Sequence, residues 1–318
     1  MSTKNDYRVY WCVYTDVYIL LSVLYIIMIL NHLDCIKINH KGYNISCINV
    51  DDGFMATMRS STPTNYMPEC INYTHILKMD SNFNILQSEL LDESLERDRH
   101  LSFSSGIEDA RLIDDKTFTC LSLDTNAMWK PEVCYVEFEN SKVTIIRSLY
   151  IEGEQYTKIE KNWVLLKRDE NIMYFLYWYN PLVVIKVDID TGKGNKIISH
   201  DISNLNLNAH GGSCLYLEKE KKYLVIVRNF IQNTYTYESN CFLLLDENYN
   251  LYGYSDNFRF SNSYNGYEMC LSLLLKDDIL YCFVSLYCIV SVCEEADNFV
   301  YKYYLSDILS SIHLYQKI

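Results

Sequence analysis

An all-β chain, a five-bladed β-propeller preceded by a short apolar N-terminal segment, is the architecture that three observations predict. One local form, an apolar strand, a charged turn and a second apolar strand, recurs five times. The turns fall near residues 51, 114, 169, 219 and 277, at intervals of roughly 63, 55, 50 and 58 residues, a spacing suited to propeller blades. From residue 40 onward short apolar runs alternate with turn signals, and no long stripe of helical period interrupts them.

The N-terminal element is residues 1–35. Within it, residues 17–30 read VYILLSVLYIIMIL, with Ser22 the only polar residue. Fourteen helical residues at about 1.5 Å each span roughly 21 Å, short of the roughly 30 Å hydrocarbon core. Extending back to residue 10 gives the length but includes Thr15 and Asp16. Lys4 and Arg8 precede the run, and no small-residue cleavage site follows it. Two readings stand: an uncleaved anchor that associates residues 10–30 with a membrane, or an element packed against the domain. The first would put the chain in a lumen, with Asn44 (Asn-Ile-Ser) and Asn72 (Asn-Tyr-Thr) as glycosylation acceptors. The second leaves it cytoplasmic.

The propeller occupies residues 36–318. Its five hairpins are residues 46–57, 110–120, 163–175, 213–225 and 269–281. Outer strands follow: residues 182–188 lead into Asp190-Thr191-Gly192-Lys193, and 241–245 into Asp246-Glu247-Asn248-Tyr249-Asn250. The stretch 76–79 before Asp80-Ser81-Asn82-Phe83-Asn84 repeats that second form, which supports blades of about four strands.

The net charge of −13 over 318 residues argues against a sequence-independent nucleic-acid binder, which needs a basic stripe. Twenty-nine tyrosines reflect an A/T-rich coding bias, although Tyr suits strands. Twelve cysteines include no CxxC pair and none with His at zinc spacing, so no metal site is expected. Several sit in apolar runs and read as reduced, small hydrophobes; disulfides would require a secretory lumen.

In a propeller the first strand of each blade lines the channel, so residues just ahead of it converge on one rim. Those residues are Tyr43-Asn44-Ile45, Gly106 through Arg111, Glu160-Lys161-Asn162-Trp163, Asn208 through Ser213, and Gly266-Tyr267-Glu268. Carboxylates and amides read hydroxyl pairs and an aromatic ring stacks on a sugar face, so the set describes a site for a polyhydroxylated ligand.

Three of these stretches, Glu108-Asp109-Ala110-Arg111, Lys161-Asn162-Trp163 and His210-Gly211-Gly212-Ser213, resemble rim motifs of glycoside hydrolase family 130. The resemblance runs from about residue 40 to 305 and keeps blade order. That family comprises five-bladed propellers that include mannoside phosphorylases, hydrolases and mannosyltransferase-like branches. It implies Asp109 as general acid, Arg111 as a residue fixing the site, Lys161 and Asn162 as contacts to substrate or phosphate, and Gly212 with Ser213 as a rim pair. Glu268, ahead of the last hairpin where the family often has an acid, is the candidate base. Asn44, Arg59, Glu108, Trp163, His210 and Arg228 complete the expected substrate-binding set. The implied activity is inverting hydrolysis, phosphorolysis or transfer of a mannose-like sugar. The partner is a carbohydrate or sugar phosphate, with no cofactor beyond inorganic phosphate as co-substrate. The chain departs from the pattern at Ala110, Leu182, His210 and Arg228, several of which correspond to phosphate-holding positions; Arg59, Lys161 and Arg228 would then supply the positive charge.

Each residue also has a structural reading. Glu108 and Asp109 would pair with an arginine between blades, Trp163 would be core, His210 a turn residue, Arg59 the partner of an acid on the next blade, and Glu268 structural. Glycoside chemistry therefore competes with a non-catalytic propeller that binds a glycan or a protein.

Overall fold

Strand pairing begins before the first blade, with β1 (Met28–Ile29) and β2 (Asp34–Ile38). Blade 1 is β3 (Tyr43–Val50), β4 (Gly53–Pro63), β5 (Cys70–Met79) and β6 (Ile85–Leu90), with the short β7 (Ser104–Ser105) added to β5. Blade 2 is β8 (Glu108–Leu112), β9 (Thr117–Ser122), β10 (Glu132–Glu139) and β11 (Lys142–Ile151). Blade 3 is β12 (Val164–Asp169), β13 (Ile172–Tyr179), β14 (Leu182–Asp188) and β15 (Lys193–His200). Blade 4 is β16 (Ala209–Leu217), β17 (Lys222–Phe230), β18 (Tyr237–Asp246) and β19 (Leu251–Ser255), with β20 (Phe258–Arg259) beside β18. Blade 5 takes β21 (Gly266–Lys276), β22 (Ile279–Cys288) and β23 (Asp297–Tyr304) from the end of the chain. The six-residue helix α1 (Leu305–Ser310) and β24 (Ile312–Leu314), which pairs with β19, follow. This is a computed structural model; it describes residues 28–29, 32–64, 70–95, 104–125, 131–154, 162–205, 207–230, 237–261, 266–288 and 296–316.

Among the described residues the fifth blade takes no outer strand from the end of the chain. The N-terminal β2 supplies one, antiparallel to β23 with Asp34 opposite Lys302 and Ile38 opposite Asn298. β2 thereby straddles the boundary drawn from sequence at residue 35. Met28 and Ile29 run parallel to Phe258 and Arg259 on blade 4, so the end of the apolar run joins a sheet. The rest of that run lies outside the described residues. Among the described residues no helix is long and apolar enough to cross a membrane.

Burial explains the ring. Among the described residues there are five apolar clusters, and each draws on two adjacent blades. Phe118 and Cys134 meet Met55 and Ile76 between blades 1 and 2, and Tyr135 meets Phe175 between blades 2 and 3. Leu176 meets Val225 between blades 3 and 4, and Phe242 meets Val284 between blades 4 and 5. Phe283 meets Phe54 and Phe83 where blade 5 returns to blade 1. A sheet with two apolar faces needs a neighbour on each side, and only a closed ring provides ten covered faces for five blades. Nine described cysteines are free thiols, and Cys47, Cys120, Cys134, Cys241, Cys270 and Cys282 are buried among these side chains, as small hydrophobes should be.

The turns follow their sequence signatures. Asp80 Oδ1 accepts the amides of Asn82 (2.8 Å) and Asn84 (2.9 Å). Asp246 Oδ1 accepts those of Asn248 (2.9 Å) and Asn250 (2.8 Å), the same loop in blade 4. The first strands also share a device. Pairing with the second strand slips between Tyr43 and Ser46, Glu108 and Arg111, Leu165 and Lys167, Gly211 and Ser213, and Cys270 and Ser272. Such a β-bulge twists the strand where it enters the narrow centre and re-aims the extra side chain.

Candidate functional site

Two of the bulges present polar residues at one mouth of the channel. Asn44 and Asp109 occupy them in blades 1 and 2 with φ of 56° and 52°, and Asn162, just ahead of β12, has φ 64°. Asn and Asp are the non-glycine residues that best tolerate this left-handed region, so the residue types suit the backbone as well as the chemistry.

Arg59, on β4, organises the cluster. Its Nη1 donates to Asp109 Oδ1 at 3.1 Å, and Nη2 lies 3.1 Å from Glu108 Oε1. Its Nε donates to Asn72 Oδ1 at 2.8 Å, and the guanidinium lies 5.1 Å from the centre of the Tyr43 ring. Asn44 Nδ2 also donates to Asp109 Oδ1, and the Tyr287 hydroxyl donates to Asn44 Oδ1. Asn72 Nδ2 donates to Glu108 Oε1 (3.0 Å) and to the Ser105 carbonyl (3.1 Å). Burial alone would raise the Asp109 carboxyl, but Arg59, the Asn44 amide and Arg111 outweigh it and hold it below the usual carboxylate range. Burial likewise opposes the charge on Arg59, and Glu108 and Asp109 more than compensate, pushing it above its ordinary value. Asp109 therefore rests as an ionised acceptor, a state suited to accepting hydroxyl hydrogens and opposed to the proton-donating role expected from sequence.

Other expected residues serve the frame. Arg111 Nη1 donates to the carbonyls of Trp163 and Gly212, both at 2.9 Å, and so ties blade 2 to blades 3 and 4. Arg228 is buried and its Nη2 donates to Asn162 Oδ1 and the Gly211 carbonyl at 3.3 Å each. Asn162 Nδ2 lies 3.4 Å from His210 Nδ1, which brings both residues to the same rim. Trp163 is 3% exposed and packs on Phe175 and Tyr177 with ring centres 5.5 and 5.6 Å away, so it is core and not a sugar platform. The Gly-Gly pair answers a close approach. A Cβ on Gly211 would sit 2.6 Å from the Tyr179 hydroxyl and 2.7 Å from Val164 Cγ2. Gly211→Ala is expected to cost about 1–3 kcal/mol, seen as a lowered urea midpoint; an unchanged midpoint would show that blades 3 and 4 yield freely there.

Glu268 is a correction. It is fully buried, and its oxygens accept Asn240 Nδ2 (2.9 Å) and the backbone amides of Phe260 (2.9 Å) and Ser261 (3.0 Å). Arg259 Nε stands 3.6 Å away. A base must reach a water beside the sugar. This carboxylate instead pins the residues after β20 to blade 5. Lys161 lies outside the described residues.

Asn44 and Asn72 are a second correction. As sequons they were expected glycosylation acceptors of a lumenal chain, yet they are 3% and 2% exposed and their amides are engaged in the Arg59 network. A folded chain offers neither to a glycosyltransferase. Asn72 and Tyr287 are the members of the cluster that sequence reading missed, whereas Tyr43 stands in the rim set read from sequence. Asn72 was read only as a sequon, and one Tyr among 29 carries no signal.

Below the mouth runs a channel of about 340 Å³, lined by the first strands of all five blades, among them Ser46, Arg111, Leu165, Ser213 and Ser272. Among the described residues no cluster of His, Cys, Asp and Glu is arranged to hold a metal ion.

No family model and no curated protein matches the sequence. Solved structures do match the fold. A GH43 β-1,3-galactosidase bound to galactodeoxynojirimycin aligns with TM-score 0.53 at 10% identity, over 86% of this chain and 94% of that one. A GH43 β-xylosidase/α-arabinofuranosidase from a compost microbial metagenome, with xylotriose, aligns with TM-score 0.53 at 10% identity over 85% and 94%. An exo-β-1,3-galactanase from Clostridium thermocellum aligns with TM-score 0.56 at 10% identity over 88% and 65%. At such identity the likeness is one of fold: the chain is a five-bladed β-propeller of the kind these glycosidases share, with no particular preference for family 130.

Proposed function

We propose that the chain recognises a carbohydrate at the channel mouth through Asp109 and the amides beside it. One observation carries this. Asp109 is held ionised, both protein donors fall on its Oδ1, and among the described residues none reaches Oδ2. An ionised oxygen with open lone pairs is a strong acceptor for a sugar hydroxyl. The carbohydrate ligands of the similarly folded galactosidase and xylosidase support that choice of partner.

The test is binding of full-length protein to a glycan panel by calorimetry. Asp109→Asn keeps a residue that accepts positive φ and removes only the charge. It is expected to weaken the best glycan about tenfold or more, the worth of one charge-assisted hydrogen bond. Equal affinity in the variant, or no glycan bound by the parent, would sink the reading.

Glycoside cleavage is the second reading, favoured by the activities named for the galactosidase, xylosidase and galactanase. Inverting hydrolysis uses two carboxylates on opposite faces of the sugar, about 6.5–9.5 Å apart. Glu108 and Asp109 share Arg59, and Glu268 is sequestered, so recognition ranks above turnover. The mannose-like substrate and the phosphate co-substrate come from the family 130 resemblance alone, and Arg59 and Arg228 already serve protein acceptors. Sugar release from aryl galactosides, xylosides or mannosides that vanishes in Asp109→Asn would reverse this ranking.

A further inference from the structure

We infer that the central channel below the mouth is a binding site for a small inorganic oxyanion of the phosphate or sulfate type, held by Arg111 and Ser213. The proposal does not depend on the carbohydrate reading.

In a chain of net charge −13 the channel is lined by Arg111, Lys167 and Arg168 and, among the described residues, by no Asp or Glu. Lys167 and Arg168 have carboxylates of their own outside the lining, Asp169 at 3.2 Å and Asp114 at 3.0 Å. Arg111 has none within 4 Å among the described residues. Its Nη1 serves the Trp163 and Gly212 carbonyls, which leaves Nε and Nη2 to donate elsewhere. Burial pushes this guanidinium below its ordinary value and the charge of Arg228 adds to the effect, with Asp109 opposing. A largely desolvated cation of this kind is stabilised by an anion that takes its remaining donors.

Hydroxyl groups also line the channel. Ser272 Oγ donates to the Cys47 carbonyl (2.6 Å), which spends its hydrogen, whereas Ser46 Oγ accepts the Leu112 amide (3.0 Å) and keeps its own hydrogen to donate. The Ser213 hydroxyl makes no hydrogen bond among the described residues, and Ser213 follows directly on Gly212, whose carbonyl Arg111 holds. Arg111 and Ser213 line the same channel, and a guanidinium fork together with a hydroxyl suits a tetrahedral oxyanion, whose oxygens accept from both. The space suffices: about 340 Å³ would take roughly ten waters at ~30 Å³ each, and so an oxyanion with a partial hydration shell.

The experiment titrates full-length protein, in buffer free of phosphate and sulfate, with inorganic phosphate and then with sulfate and chloride. The expected result is saturable one-site binding of phosphate and sulfate, with chloride weaker. Arg111→Gln should weaken it about tenfold or more. Ser213→Ala, which disturbs no carbonyl contact, should weaken it several-fold and carries the test where Arg111→Gln fails to fold. Three results would overturn the inference: no saturable binding to the parent, equal affinity in Ser213→Ala, or loss in Lys161→Gln with retention in Ser213→Ala, which would move the anion to the rim.

Discussion

Arg59→Gln is expected to cost about 3–5 kcal/mol of stability, because it leaves two mostly buried carboxylates facing each other without their counter-ion. Side-chain exposures of 16% for Arg59, 14% for Glu108 and 11% for Asp109 put the triad under cover, where an unpaired charge is expensive. The pH dependence gives a second readout. Asp109 titrates below its unfolded value near 3.8. Its contribution to stability is therefore complete above that value and is lost as pH falls through its lower folded one. Without Arg59, only Asn44 and Arg111 are left to offset burial, so the Asp109 carboxyl rises relative to the parent and the variant should lose stability from a higher pH. Urea midpoints measured from about pH 7 down to 4 test both points. A loss under about 1 kcal/mol, with parallel pH curves, would mean that the pairs behave as exposed ones do.

Glu268→Gln separates a structural carboxylate from a catalytic one. The replacement puts an amide NH₂ in place of one oxygen, either Oε2, which accepts from Phe260 and Asn240, or Oε1, which accepts from Ser261, and leaves Arg259 without the charge 3.6 Å away. Breaking a buried pair and stranding a backbone donor should cost about 3–5 kcal/mol. The melting temperature should fall by roughly ten degrees for a domain of this size. Were Glu268 a base at the mouth, the variant would melt with the parent and lose turnover alone.

The architecture was legible because it rests on repetition. Five charged turns, spaced like blades, survive the masking effect of a Tyr- and Ile-rich composition. The Asp-x-Asn-x-Asn loops at 80 and 246 folded as their side chains dictate. The site was legible in position and less so in role. Asp109, Asn44, Asn162 and His210 reach one rim because a shared register puts them there. Whether a carboxylate serves ligand or frame depends on its neighbours in other blades, which no local stretch encodes. Glu268 finds its donors at Asn240 and around Phe260, and Arg59 reaches across to blade 2. Trp163 shows the same limit: at the rim register, yet inward-facing, against Phe175 and Tyr177.

The closure of blade 5 by β2 has a consequence for biosynthesis. β2 emerges from the ribosome on the order of 260 residues ahead of its partner, Asn298–Lys302. At about 5–20 residues per second the nascent chain carries that edge unpaired for on the order of tens of seconds. Blades 1 to 4 can assemble meanwhile, but the outer faces of blades 1 and 4 remain uncovered until the last blade arrives. An open edge beside apolar surface is what strand-capturing aggregation exploits. Yield from the cell should therefore respond to elongation speed and to chaperone supply more than the stability of the finished ring would suggest.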